Sequence, residues 1–323
     1  MTARPGRPSI PRLERPTARA LSLGDRKLGL ALDALVSNCG VRQPLPADPV
    51  WLVHRYRNPH DQEIAALIAA TGAYGQVDVL MRAAAQVLDA LGPSPWKALQ
   101  RRRHRETGFL DGFVYRWTRA EDLRQILEGV SSMADAHGGL GEALSHHAAR
   151  AGGLEEGFRR WVEELRAPAA SLGPLSRGVR FLLADPAQAS ACKRWRLFLR
   201  WMVRGPDAID PGTWSGRFDP GELIVPLDAH WTRIAPRLGL SRLRTPGRRM
   251  ALEITARLRR LRPSDPLAYD FALCHLGIAG GCPPRLTRAD CARCPLAEVC
   301  PTGVRRLRAA GPVGVLERSL PLR

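Results

Sequence analysis

Apolar residues recur at three- and four-residue steps along most of the chain, the period of helices that bury one face. Leu28, Leu32, Leu35 and Val36 mark a helix over 25–37. Ile64, Leu67, Ile68 and Thr71 mark another in "NPHDQEIAALIAATGAYG". There Asn58 suits the N-cap, Pro59 the first helical position, and Asp61 and Glu63 the positive helix end. Helical patterns continue near 76–91, 119–136, 141–149 and 154–165, with "RRRHR" at 101–105 as a solvated, charged connector.

Residues 175–204 predict two short helices about a tight turn at Asp185–Ser190. The second has Trp195, Phe198, Leu199 and Met202 on a core face, and Lys193, Arg196, Arg200 and Arg204 on a different face. Beyond a Pro/Gly-rich loop at 205–222, Asp228 sits where a helix should begin, as its N-cap, and Pro236 should kink that helix. Thr245–Pro246 and Asp265–Pro266 read as two further helix starts. No strand series or fixed-period repeat is visible, so the expected fold is all-α.

Charge narrows the range of partners. The 323 residues leave room for a core split over two lobes, and 49 Lys and Arg against 31 Asp and Glu give a net charge of +18. Such an excess favours a polyanion. Nucleic acid comes before membrane, because no stretch approaches the roughly 18 apolar residues of a membrane span and no basic amphipathic surface helix stands out. Residues 1–20 carry five Arg and four Pro without an apolar signal region, and read as a disordered basic tail. A cytoplasmic, nucleoid-associated protein is expected, in a compartment that keeps thiols reduced.

Four of the seven cysteines stand in "CPPRLTRADCARCPLAEVC", spaced C-x8-C-x2-C-x5-C. Cys282, Cys291, Cys294 and Cys300 suit a single four-thiolate site. One CxxC pair with two asymmetric partners is less like a zinc ribbon than a cluster loop, but soft thiolates suit both a 4Fe-4S cluster and zinc. Cys39, Cys192 and Cys274 read as small core residues.

The cysteine loop follows a helix ending in "HLGI" and resembles the cluster loop of the endonuclease III and adenine-glycosylase branch of the helix-hairpin-helix DNA glycosylases. Its last two spacings match that family, and its first is two residues longer. "PLDAHWTRIAPRLGL" resembles the segment carrying the family's aspartate, and "PAQASACKRWRLFLRW" its hairpin and lysine-bearing helix, with Ala189 where a hairpin glycine is usual. The arrangement also resembles an uncharacterised bacterial family related to these glycosylases, and the matches run in order over roughly residues 56–300. The resemblance implies a two-lobed glycosylase-like fold. A helical barrel lobe would cover 57–205 and end in the hairpin. A second lobe would combine 21–56 with 222–301 and the iron–sulfur loop, leaving a C-terminal tail at 302–323.

It also implies an activity: excision of a damaged base with AP lyase action through a Schiff base on Lys193, assisted by Asp228. Breaking an N-glycosidic bond builds positive charge on the sugar, which a carboxylate stabilises. An attacking lysine must be neutral, and Arg194, Arg196 and Arg200 would supply cations that favour that state. Ser190 and these arginines at the hairpin, Arg233 on the next helix, and Arg285, Arg288 and Arg293 on the cysteine loop are expected to hold phosphates. Thr71 and Tyr74 would lie near the base pocket, although core packing also suits each. Ala66 occupies the place of the glutamate used by adenine-specific relatives, and Glu63 reads as a helix-end charge. The expected partner is double-stranded DNA with a damaged base or abasic site, bound by a monomer. The rival reading is a non-catalytic iron–sulfur or zinc DNA-binding protein on the same scaffold.

Overall fold

Asn58 ends an extended stretch and accepts hydrogen bonds from the amides of His60 and Asp61, starting helix α3 (Pro59–Thr71) where its sequence predicts. The computed structural model describes residues 21–39, 46–171 and 173–309. It contains 61% helix and 2% strand, so the fold is all-α. The expected basic tail at 1–20 lies outside the described residues.

Around α3 pack α2 (Trp51–His54), α4 (Val77–Leu91) and α5 (Pro95–Gln100). A small hairpin, β1 (Val114–Tyr115) with β2 (Thr118–Arg119), precedes α6 (Ala120–His137), α7 (Leu140–Ala151) and α8 (Leu154–Ser171). Helices α6 and α8 touch closely enough that a Cβ on Gly129 would lie 2.1 Å from the Leu165 carbonyl oxygen, so only glycine fits there. Helices α9 (Arg177–Leu182) and α10 (Lys193–Val203) flank the predicted turn. The Trp195, Phe198, Leu199 and Met202 face is buried against this group, as its spacing predicts.

A second apolar core gathers α1 (Leu23–Cys39) with α11 (Ala229–Arg237), α12 (Arg248–Leu261) and α13 (Asp270–Ile278). Short helices α14 (Arg288–Arg293) and α15 (Pro301–Arg308) carry the cysteine segment beside α11. The division between cores differs from the expected lobes. Val50, Leu52 and Val53 belong to the first core, and so do Trp214 and Leu223, because these side chains fill the space beneath α3 and α10 rather than continuing α1 or the second group. The expected tail at 302–323 begins as part of α15, while 310–323 lie outside the described residues.

Two helix starts move. α12 begins after Gly247, not at Thr245, and α13 begins at Asp270, not after Asp265. Asp265 is instead taken up by Arg204, whose Nε lies 3.0 Å from its carboxylate. Pro236 falls in the last turn of α11, where the helix ends rather than kinks. Glu63 is a further correction. It is buried and accepts from the amides of Leu140 and Gly141, capping α7, and from the indole of Trp214 at 2.6 Å. It is an internal strut between helices. The "RRRHR" connector is only partly solvated, since His104 is buried against Glu128.

Candidate functional site

Lys193 is the first residue of α10, and its Nζ donates to the carbonyl of Ala73 at 3.3 Å, just beyond α3. Asp228 caps α11, accepting from the Trp231 amide at 2.7 Å. The two come from different cores yet share a neighbour. Cys274 on α13 holds its Sγ 3.8 Å from Asp228 Oδ2, and its thiol lies in the field of both Asp228 and Lys193. Burial, then the charges of Asp270 and Asp228, push this thiol well above the usual cysteine range, so it stays protonated. The core role expected of Cys274 holds, since it packs against the second core, and its sulfur also faces Asp228.

The seam between the two cores is fixed by a buried network. Arg200 on α10 donates through Nε to Asp210 at 3.1 Å and through Nη1 to Asp270 on α13, and Asp270 also accepts from the indole of Trp231. Buried charges persist only when paired in this way, and removing one partner of such a pair typically costs about 3–5 kcal/mol. The network therefore locks the lysine-bearing helix onto the second core. Burial raises the Asp270 carboxyl against the opposing pull of Arg200.

The same geometry corrects the expected DNA contacts. Arg196 is buried and paired with Glu155, and Arg200 is buried in the network above, so neither reaches a phosphate or leaves uncompensated charge near Lys193. Arg204 is likewise consumed by Asp207, Asp210 and Asp265. Arg194 is half-buried and donates to the carbonyls of Thr71 and Phe181, its guanidinium 3.8 Å above the Phe181 ring. Burial lowers it to about 10. Arg233 points inward, donating to the Cys282 carbonyl at 2.7 Å. Ser190 is exposed and accepts from the Cys192 amide, closing the turn. Arg285 and Arg293 are exposed on the cysteine loop, Arg293 beside Asp290 at 3.3 Å, and Arg288 is half-buried. The hairpin turn docks on the second core, where the Arg248 amide donates to the Ala189 carbonyl at 2.9 Å. Its left-handed residue is Cys192, with φ 48°.

Thr71 is a satisfied core residue, donating to the Leu67 carbonyl at 2.6 Å. Tyr74 bonds Thr118 at 2.8 Å and stacks on Trp117 with 5.3 Å between ring centres. Trp117 is 38% exposed, and Arg116 and Arg177 lie 5.4 and 5.9 Å from its ring. Sequence reasoning missed this aromatic and basic patch, because the hairpin presenting it is too short to show a strand pattern.

The cysteines converge beside α11. Thr287 caps α14 in a box with Asp290, presenting Cys291 and then Cys294. Cys300 caps α15, its sulfur accepting from the Gly303 amide at 3.4 Å. Arg237 donates to Cys282 Sγ at 3.1 Å and to the Pro283 and Pro284 carbonyls, while Cys300 donates to the Arg237 carbonyl. Cys294 lies in the field of the other three sulfurs, and burial raises its thiol to about 11. Arg237 was another omission; with Arg233 it forms an i, i+4 pair on the face of α11 that holds the loop.

A family model described as a protein of unknown function, DUF2400, matches residues 48–279. The chain is a DUF2400 protein. Comparison with curated proteins and with solved structures returns no match. The DUF2400 match contains Lys193, Asp228, Asp270 and Cys274, and stops three residues short of Cys282. The seam thus belongs to the DUF2400 region, whereas the cysteine loop and α1 lie outside it.

Proposed function

We propose that this DUF2400 protein is a monomeric DNA repair glycosylase with AP lyase activity, on a helix-hairpin-helix glycosylase-like scaffold. The observation that carries the reading is that Lys193 and Asp228, from different cores, both act on the charge environment of Cys274, whose Sγ lies 3.8 Å from Asp228 Oδ2. A flipped damaged nucleotide entering the seam between those cores would meet an amine and a carboxylate together. The Lys193 amine attacks C1′ of the sugar as the C1′–N bond breaks, and the base leaves with the bonding electrons and takes up a proton. Asp228 stabilises the positive charge on the sugar and accepts the proton shed by the new amine. Ring opening leaves an iminium on Lys193. Loss of a C2′ proton then expels the 3′ phosphate by β-elimination, and water releases the lysine.

The exposed Trp117, flanked by Arg116 and Arg177, supports a nucleic-acid partner, since aromatic faces with adjacent cations stack on bases and hold backbone charge. Arg285 and Arg293 are further exposed cations, on the cysteine loop. The donor set of Cys282, Cys291, Cys294 and Cys300 fits a 4Fe-4S cluster of structural role. Soft thiolates also suit a single zinc ion, so zinc stands as the alternative occupant of the same four cysteines.

Borohydride trapping on duplexes with an abasic or oxidised site tests the reading. The expected result is a covalent protein–DNA adduct that is lost in Lys193→Gln while DNA binding remains. Tight binding of every duplex with no adduct and no base release would favour the non-catalytic rival. Base release that persists in Lys193→Gln would remove the lysine from the mechanism.

A further inference from the structure

We propose that His137, His147 and Glu164 form a binding site for a divalent transition-metal ion of the zinc class, with the neighbouring His146 available as a fourth ligand. The site is independent of the cysteine loop and of the Lys193 seam. Its three side chains come from three helices: His137 from the last turn of α6, His147 from α7 and Glu164 from α8. Only Gly138 and Gly139 separate α6 from α7, and Gly138, with φ 87°, reverses the chain so that His137 folds back over α7.

The geometry is that of a clamp. His137 Nε2 lies 2.8 Å from one Glu164 oxygen, and His147 Nε2 faces the other. All three ligand atoms lie within 4.8 Å of one another. The side chains are 17%, 16% and 30% exposed, held in place by their helices yet open to an ion from solvent. The exposed ring of His146 is centred 5.2 Å from that of His137 and 5.6 Å from that of His147.

Two imidazoles can both bond one carboxylate only if each carries its proton on Nε2. A metal ion would bind both Nε2 atoms, each neutral ring then carrying its proton on Nδ1, and would keep the carboxylate as an anionic ligand. Two histidines and a glutamate form a donor set suited to zinc with a position left over, and imidazole-rich sites favour zinc, copper and nickel over magnesium or calcium. An ion held there would tie the end of α6 to the α7–α8 pair.

Cobalt(II) is the informative probe, because thiolate ligands give an intense charge-transfer band that nitrogen and oxygen ligands do not. The test adds cobalt to the full chain as isolated, with its cysteine site in the native state, and compares His137→Ala/His147→Ala. The expected result is a weak visible cobalt spectrum without new thiolate bands, and a thermal midpoint that rises with added zinc. In the double variant both responses should be lost, with affinity falling at least about tenfold. Glu164→Gln, which keeps hydrogen-bonding groups beside both histidines, provides the same comparison should the double variant fold poorly, and should also weaken binding. Cobalt or zinc responses that survive in a folded variant, or spectra showing thiolate bands alone, would overturn the proposal, as would the absence of any response in the unaltered protein.

Discussion

Asp228 performs two tasks that substitution can separate. Its Oδ1 caps α11, while Oδ2 faces Cys274 at the seam. Asparagine caps a helix about as well as aspartate, whereas alanine leaves the Trp231 amide without its acceptor. Asp228→Ala should therefore lose about 1 kcal/mol in urea denaturation, while Asp228→Asn stays within a few tenths of the parent. On the proposed mechanism, Asp228→Asn should still reduce single-turnover base excision by about a hundredfold or more, because the charge is gone. Full excision by the asparagine variant would leave the carboxylate with capping alone.

Elements in this protein are joined by ion pairs as much as by apolar packing. Glu128 on α6 accepts from Arg105 Nε at 2.8 Å and from His104 Nε2 at 2.9 Å, fastening the 101–105 connector. Arg105, by direct hydrogen bonding, is the chief cause of the lowering of the Glu128 carboxyl from 4.5 to about 2. A carboxyl lowered in the folded state stabilises fully above its unfolded value, and that contribution disappears as the pH falls through the folded value. Glu128→Gln should be less stable by about 1 kcal/mol at neutral pH, and its gap from the parent should narrow between pH 4.5 and about 2. Urea midpoints of the two proteins across that range check this; a gap that does not change with pH would assign the loss to packing. Helix boundaries were legible where a side chain caps its own amides, as at Asn58 and Asp228. They were misplaced at Thr245 and Asp265, where the neighbouring proline suggested a start but the following residues turn before the helix forms.

At the scale of the molecule, α11 connects the two candidate centres. Asp228 opens it beside the seam, and Arg233 and Arg237 farther along hold the Cys282 turn. On the proposed cluster reading, the purified protein should be brown and absorb near about 400 nm. Cys294→Ser should lose that absorbance and loosen the second core, read as earlier proteolysis within residues 282–309. A colourless protein carrying zinc would reject the cluster and leave the four-cysteine site intact. The net charge of +18 is also unevenly available: hairpin arginines are spent on internal pairs, whereas Arg116 and Arg177 beside Trp117 and Arg285 and Arg293 on the cysteine loop remain exposed.

The sequence by itself determined the helical class, most helix spans, the capping role of Asp228, the buried Trp195–Met202 face and the grouping of four thiols. Each is set by local spacing or by contacts within a few residues. Only the tertiary structure decided which cations are consumed, that Cys274 and Asp270 lie beside Asp228 and Arg200, that Glu63 caps a distant helix, and that His137 and His147 meet at Glu164. An arginine or glutamate has the same local signature whether it faces solvent or a buried partner a hundred residues away. Its environment depends on how the two cores meet, which periodicity along one chain does not encode.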